Sequence, residues 1–125
     1  MYSFDYHRPQ VVDEAVRLRT GAEDATYLAG GQTLIPTLKQ RLASPSDVVD
    51  LAHVAGLRGI EVTVDRVVIG AMTTHAEVAA SAQIQKSIPA LAALAGGIGD
   101  GQVRNRGTIG GSVAKATLRP IIRPP

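Results

Sequence analysis

The residues in this chain best suited to chemistry are glycines. Tyr27-Leu28-Ala29-Gly30-Gly31-Gln32-Thr33-Leu34-Ile35-Pro36 reads as a short apolar strand, a tight turn and the opening of a helix. Gly30 and Gly31 tolerate positive φ and carry no side chain, so a ligand can come down onto the backbone. A side chain at Gly31 is expected to stand where that ligand approaches. Thr33 adds a hydroxyl near the first helical turn, and Pro36 is tolerated there because early helical N–H groups lack intrahelical partners. Those N–H groups, at the positive end of the helix dipole, suit a phosphate. A plain strand-to-helix turn explains the same residues equally well. A second segment, Gly107-Thr108-Ile109-Gly110-Gly111-Ser112, follows Gln102-Val103-Arg104-Asn105-Arg106. Two such loops, far apart in sequence, can converge on the two phosphates of one dinucleotide. Arg104 and Arg106 flank the second loop, either to neutralise phosphate charge or to face solvent or another subunit.

Neither segment is a Walker-type loop, because no Gly-Lys-Ser/Thr follows. Neither is a Rossmann fingerprint, because Gly97-Ile98-Gly99 has no fitting third glycine or helix start after it. The 125 residues suffice for one domain with a modest core. Aromatic residues make up only 3%, so that core must rest on Val, Ile, Leu and Ala. The absence of cysteine excludes disulfides, cysteine-held zinc and iron–sulfur clusters within this chain. No apolar run spans a bilayer and the start lacks a secretory pattern, so a cytoplasmic location is expected. A net charge of +2, with scattered basic residues, gives nucleic-acid binding little support. His7, His53 and His75 are scattered, without carboxylate or cysteine at metal-ligand spacing, and read as structural residues. No nucleophile–base pair, paired carboxylates or metal cluster is visible. A flavin, however, needs position and electrostatics rather than a catalytic side chain to pass electrons.

The elements around the loops follow from pattern. Residues 1–9 read as extended, with Tyr2, Phe4 and Tyr6 alternating. Val12, Ala15, Val16 and Leu18 recur at helical spacing, with Asp13 and Glu14 in the first turn. Thr26 to Ala29 is the strand feeding the first glycine loop. Leu34, Leu38 and Leu42 predict one buried helical stripe, stopped by Ser44-Pro45. Asp47 to Leu51 is a short strand, and the strand–helix–strand order predicts a parallel pairing. Ile60, Val62 and Val64, a turn at Asp65-Arg66, and Val67 to Ile69 predict a hairpin. Thr74-His75-Ala76-Glu77 matches a capping box that opens a helix through Ala80. Another helix is expected from Pro89 through Leu91 and Leu94 to Gly96-Gly97.

Taken together, Ala29-Gly30-Gly31-Gln32-Thr33-Leu34-Ile35-Pro36 and Arg104-Asn105-Arg106-Gly107-Thr108-Ile109-Gly110-Gly111-Ser112 resemble the FAD-binding medium subunit of molybdenum hydroxylases. That group includes carbon monoxide dehydrogenase, xanthine dehydrogenase and aldehyde oxidase. Phe4-Asp5-Tyr6-His7-Arg8-Pro9, Leu57-Arg58-Gly59-Ile60 and Ile69-Gly70-Ala71-Met72-Thr73-Thr74-His75 add to the likeness, in order, up to Ala114. The resemblance implies an α+β fold, the two-lobed FAD-binding fold of vanillyl-alcohol oxidase and p-cresol methylhydroxylase. Residues 1–55 would form the first lobe and residues 56–114 the start of the second, including a strand near Ile109. It also implies FAD as cofactor, with Ala29, Gly30, Gly31, Gln32, Thr33 and Leu34, and Thr108, Ile109, Gly110, Gly111 and Ser112, holding the pyrophosphate and adjoining parts. The implied partners are an iron–sulfur subunit and a subunit bearing the molybdenum cofactor. Electrons from substrate oxidation would cross the clusters to FAD and leave to an acceptor.

The sequence departs from that family at Lys115 to Pro125, a basic, proline-bearing tail. Relatives continue there with an Asp-Pro-Ala-containing segment, a second lobe and a C-terminal domain, which carry the flavin's other wall. A permitted back-translation of the tail, read from the third base of the Lys115 codon, spells Gly-Asp-Pro-Ala-Ala-Asp-Tyr-Pro-Pro. A single-base frameshift after Ala114 is therefore expected. Two other readings stand beside the electron-transfer fragment. One is a truncated, non-catalytic product that no longer binds FAD. The other is a flavoprotein of the same fold of the enolpyruvyl-glucosamine reductase type, against which the Thr108 to Ser112 context speaks.

Overall fold

The computed structural model describes residues 1–116, a mixture of helices and strands with two small sheets. The first sheet is parallel throughout, in the order β1 (Asp5–His7), β3 (Asp47–Asp50), β2 (Ala25–Leu28). Helix α1 (Val12–Gly21) connects β1 to β2, and α2 (Leu34–Lys39) connects β2 to β3. Val48 and Val49 of the central strand are fully buried. Ala15 of α1 packs on Val49 and Val54, with Leu18, Leu51 and Leu57 closing the cluster. The expected parallel pairing of the strands around the first glycine loop is present.

The expected stripe on α2 is cut short. Leu38 is buried, but Leu42 is 74% exposed. The helix ends because Arg41 takes φ 57°, with Leu42 N–H donating to the Thr37 carbonyl and Arg41 N–H to that of Leu38, both at 3.1 Å. This is a Schellman closure with arginine in the left-handed position usually held by glycine. The reversal of hand throws Leu42 off the helical face.

The second sheet is the antiparallel hairpin β4 (Ile60–Val62) and β5 (Val67–Ile69). Its strands stop earlier than the alternation implied: Thr63 N–H already bonds the Arg66 carbonyl at 2.9 Å, which leaves Val64 fully exposed at the tip. Against it pack α3 (His75–Ala80), α4 (Ala82–Ser87) and α5 (Pro89–Gly96), around a core of Val78, Ile84, Ala92 and Ala95. On α5 Ala92 and Ala95 face inward, and Leu94 is 68% exposed. Gly96 lies against Ala79, where an added Cβ would be only 3.8 Å from the Ala79 methyl. Small residues thus line the contact between α3 and α5.

Three helices were not anticipated: α4, α6 (Gly101–Arg106) and α7 (Ile109–Ala116). The strand expected near Ile109 is instead the first turn of α7; only Thr108 pairs in the manner of a strand, with Thr74. Helix α7 runs through Ala116, so it takes in Lys115 and Ala116 of the expected foreign tail, and the remainder of that tail lies outside the described residues.

Candidate functional site

The site is built where the first glycine turn meets the start of α7. Strand β2 delivers Ala29 and Gly30 beside β3, and Gly31 then takes φ 78°, a left-handed value that favours glycine. The chain turns directly into α2, with Ile35 N–H bonding the Gly31 carbonyl at 3.1 Å. A Cβ on Gly31 would fall 2.6 Å from Ile35 Cδ1. The side chain expected to obstruct a ligand would therefore strike the chain's own helix. Gly30 meets a different constraint. A Cβ there would overlap the Arg106 carbonyl, lying only 2.8 Å from its carbon and 3.0 Å from Gly107 Cα. The two glycine segments are in backbone contact.

Helix α6 brings the second segment into place. Asp100 caps it by accepting from Val103 N–H at 2.9 Å, and Arg104 Nη1 donates to the carbonyls of Ile98 (3.2 Å) and Gly99 (3.0 Å). Arg104 is thus a structural clamp, whereas Arg106 lines a smaller second cleft of about 180 Å³ beside Asn105. At α7, Thr108 Oγ1 accepts from Gly111 N–H at 3.1 Å and the Thr108 carbonyl accepts from Ser112 N–H at 3.1 Å. Ile109 and Gly110 donate their N–H groups to the Thr73 and Ala71 carbonyls, at 3.0 and 2.9 Å. They anchor the helix to the segment after β5.

Between these walls lies a cleft of about 400 Å³. Ala29, Gly30, Gly31, Gln32, Thr33 and Leu34 line one side, and Thr108, Gly111 and Ser112 the other. Ile109 and Gly110 are not among its lining residues. Among the described residues, none accepts a hydrogen bond from the N–H of Gly31, Gln32, Thr33 or Leu34. The Thr33 hydroxyl likewise makes no side-chain cap. Sequence reasoning did not single out three side chains at the cleft: Arg19, Tyr27 and Lys115. The Arg19 guanidinium sits 5.2 Å from the centre of the Tyr27 ring, a cation–π contact. Among the described residues, no carboxylate lines the cleft. It therefore offers two cations, a run of open amide donors and hydroxyl groups that include those of Thr33 and Ser112, a set suited to an extended anion.

His75, read from sequence as a structural residue in a helix cap, is tied to this wall. It is 5% exposed, and its Nε2 lies 2.9 Å from Ser112 Oγ. Its N–H donates to the Gly107 carbonyl at 3.0 Å. Burial pushes the imidazole below its ordinary pKa. Thr74 caps α3 as expected, accepting from Glu77 N–H at 3.2 Å. The Glu77 carboxylate, however, pairs with Arg58 instead of closing the box. His7 meets Asp47 at 2.7 Å, away from the cleft.

The chain is similar to known proteins over most of its length. The family model described as the FAD binding domain in molybdopterin dehydrogenase matches residues 2–119. The carbon monoxide dehydrogenase medium chain of Hydrogenophaga pseudoflava is 47% identical over 113 residues, covering 89% of this chain and 39% of that one. The 6-hydroxypseudooxynicotine dehydrogenase complex subunit alpha of Paenarthrobacter nicotinovorans is 44% identical, with 91% and 39% covered. Among solved structures, quinoline 2-oxidoreductase from Pseudomonas putida 86 superposes with a TM-score of 0.88 at 36% identity, covering 92% of this chain and 40% of that chain. The chain spans about two fifths of the length of the relatives it matches. Among the described residues, no helix is long and apolar enough to cross a membrane. FAD is the cofactor of this kind of domain, and the chain belongs to the family of FAD-binding domains of molybdopterin dehydrogenases, a flavoprotein part of the oxidoreductases that include the carbon monoxide and xanthine dehydrogenases.

Proposed function

We propose that the cleft between the two glycine segments holds the pyrophosphate and adjoining parts of FAD. On this reading the chain is the flavin-bearing, electron-transferring part of a molybdenum-containing hydroxylase. One observation carries it: four consecutive N–H groups, Gly31 to Leu34, have no acceptor among the described residues and line a cleft that also contains Arg19 and Lys115 and no carboxylate. Gly31 and Leu34 are half-buried and Gln32 and Thr33 exposed, so the four donors stand open to the cleft, and a diphosphate supplies acceptors and negative charge for both features. Gly31 to Leu34 would donate to phosphate oxygens, and Thr33 and Ser112 would add hydroxyls. Arg19 and Lys115 would balance the charge from the rim. Ile109 and Gly110 would serve indirectly, by fixing α7 against Ala71 and Thr73.

Bound FAD supplies reversible electron storage; the chain's residues supply position and charge. The chain has no cysteine, so iron–sulfur clusters delivering electrons to it belong on a partner subunit. The molybdenum centre that oxidises substrate belongs on another subunit. The relatives' designations as medium chain and complex subunit support that division of labour. The two-lobed arrangement of vanillyl-alcohol oxidase-type flavoproteins is the fold reading that goes with it, the parallel sheet lying in the first lobe and the hairpin opening the second. A cytoplasmic complex is the setting. Gel filtration of the chain with FAD, followed by absorbance at the flavin bands, tests the assignment. Flavin should co-elute with the protein, and its absence would refute the cleft as the cofactor site.

A further inference from the structure

Among the described residues, His75 is the one buried titratable side chain that reaches the cleft, and it does so through another residue. Its backbone is held on one side by Gly107, through the 3.0 Å bond from His75 N–H, and the adjacent Thr74 pairs with Thr108. Its ring presses on Gly107, where an added Cβ would be 3.1 Å from His75 Cδ2. In this arrangement the imidazole Nε2 lies on Ser112 Oγ at 2.9 Å. Ser112 is itself exposed to the cleft, and its own N–H is bound to Thr108. Its hydroxyl has no other partner among the described residues.

A serine hydroxyl carries one proton and two lone pairs. If Nε2 accepts that proton, Ser112 presents only lone pairs to the cleft and repels phosphate oxygens. If Nε2–H donates, the Ser112 proton is free to turn outward. We propose that His75 is a positioning residue: its Nε2–H donates to Ser112 Oγ and thereby aims the Ser112 O–H into the cleft as a donor to an oxygen of FAD. The inference rests on the reading of the cleft as the flavin site. Burial keeps the ring neutral at neutral pH, so the tautomer alone decides which way the proton points. Among the described residues, no group hydrogen-bonds Nδ1, which in this tautomer is a bare acceptor.

The test has two arms in the full chain. Nitrogen-15 NMR of the imidazole without flavin reads the tautomer directly: protonated Nε2 is expected, and protonated Nδ1 overturns the proposal. FAD titrations by flavin fluorescence then compare wild type, Ser112→Ala, His75→Leu, the double variant and His75→Gln. Losing one hydrogen bond to a charged ligand weakens binding by about tenfold or more. Ser112→Ala and His75→Leu should each show that loss, the double variant no more than either. His75→Gln, which keeps an amide donor, should recover most of the affinity. Additive losses, or wild-type affinity in Ser112→Ala, overturn the relay; Ser112→Ala, at an exposed position, does so even if His75→Leu fails to fold. A wild-type chain with protonated Nε2 that takes up no FAD sinks the cleft reading itself, and the relay with it.

Discussion

The carbonyl group of Arg106 occupies the space where a side chain on Gly30 would begin. Gly30 is a glycine because another part of the chain lies on it, and this contact joins the two glycine segments into one cleft. Gly30→Ala must push the Arg106–Gly107 backbone away, which costs about 1–3 kcal/mol by the usual penalty for overpacking. A lowered thermal midpoint and reduced flavin uptake are expected together. An unchanged midpoint would mean that the two segments are not in contact.

Gly31 fails for a different reason. Gly31→Val imposes a β-branched residue at φ 78° and drives its Cβ onto Ile35. Backbone strain alone is about 1–3 kcal/mol. Gly31→Asn should be the milder change, because asparagine tolerates left-handed φ. Pairing Gly31→Val with Ile35→Ala should relieve the clash and leave the strain. Chemical denaturation of the three variants orders them, and equal stability of Val and Asn would contradict the strain account.

Helix α6 depends on its cap. Asp100→Ala removes the acceptor for Val103 N–H, at a cost of about 1 kcal/mol. Asp100→Asn should lose much less. Hydrogen exchange at the α6 amides is the sensitive readout, since fraying there precedes global unfolding.

Two groups give acid sensitivity in separate windows. Burial holds His75 below its ordinary value, so the unfolded chain binds more protons there. The stability that neutral His75 contributes is full above about pH 6.5 and is lost as pH falls through the lower folded value. Hydrogen bonds from His7 and then Ser46 hold Asp47 below the carboxylate range. Its contribution is present above about pH 4 and is lost under stronger acid. Midpoints followed from neutral pH downward should fall in two steps. His75→Gln should abolish the first and Asp47→Asn the second.

Division of labour between subunits gives a functional expectation. The FAD-loaded chain by itself should accept electrons from a chemical reductant and oxidise no purine, aldehyde or carbon monoxide. Turnover of such a substrate without other subunits would place a catalytic centre where no cysteine or nucleophile pair exists.

Much of this protein was written locally. Gly31 at positive φ, Thr74 as a cap, the strand leading into Ala29-Gly30 and the parallel pairing of β2 with β3 each follow from a few neighbouring residues. So does the family, because backbone recognition of a cofactor leaves its mark as contiguous glycine motifs. Other features depended on what lies across the fold. The Leu34-Leu38-Leu42 spacing reports a stripe, but Arg41 at φ 57° ends the helix before the third leucine can use it. Leu91 and Leu94 mark α5 in the sequence, yet Leu94 is exposed and Ala92 and Ala95 fill the core contact. Thr108 to Ser112 read as a loop because glycines weaken helices. Bonds to Ala71 and Thr73 carbonyls outweigh that propensity and make it the first turn of α7. Arg19, Lys115 and His75 carry no local signal at all, and only tertiary packing brings Arg19 and Lys115 to one cleft and His75 onto its Ser112 wall. Sequence specifies the conformations that a residue's own neighbours can enforce; which groups meet is decided by contacts between segments far apart along the chain.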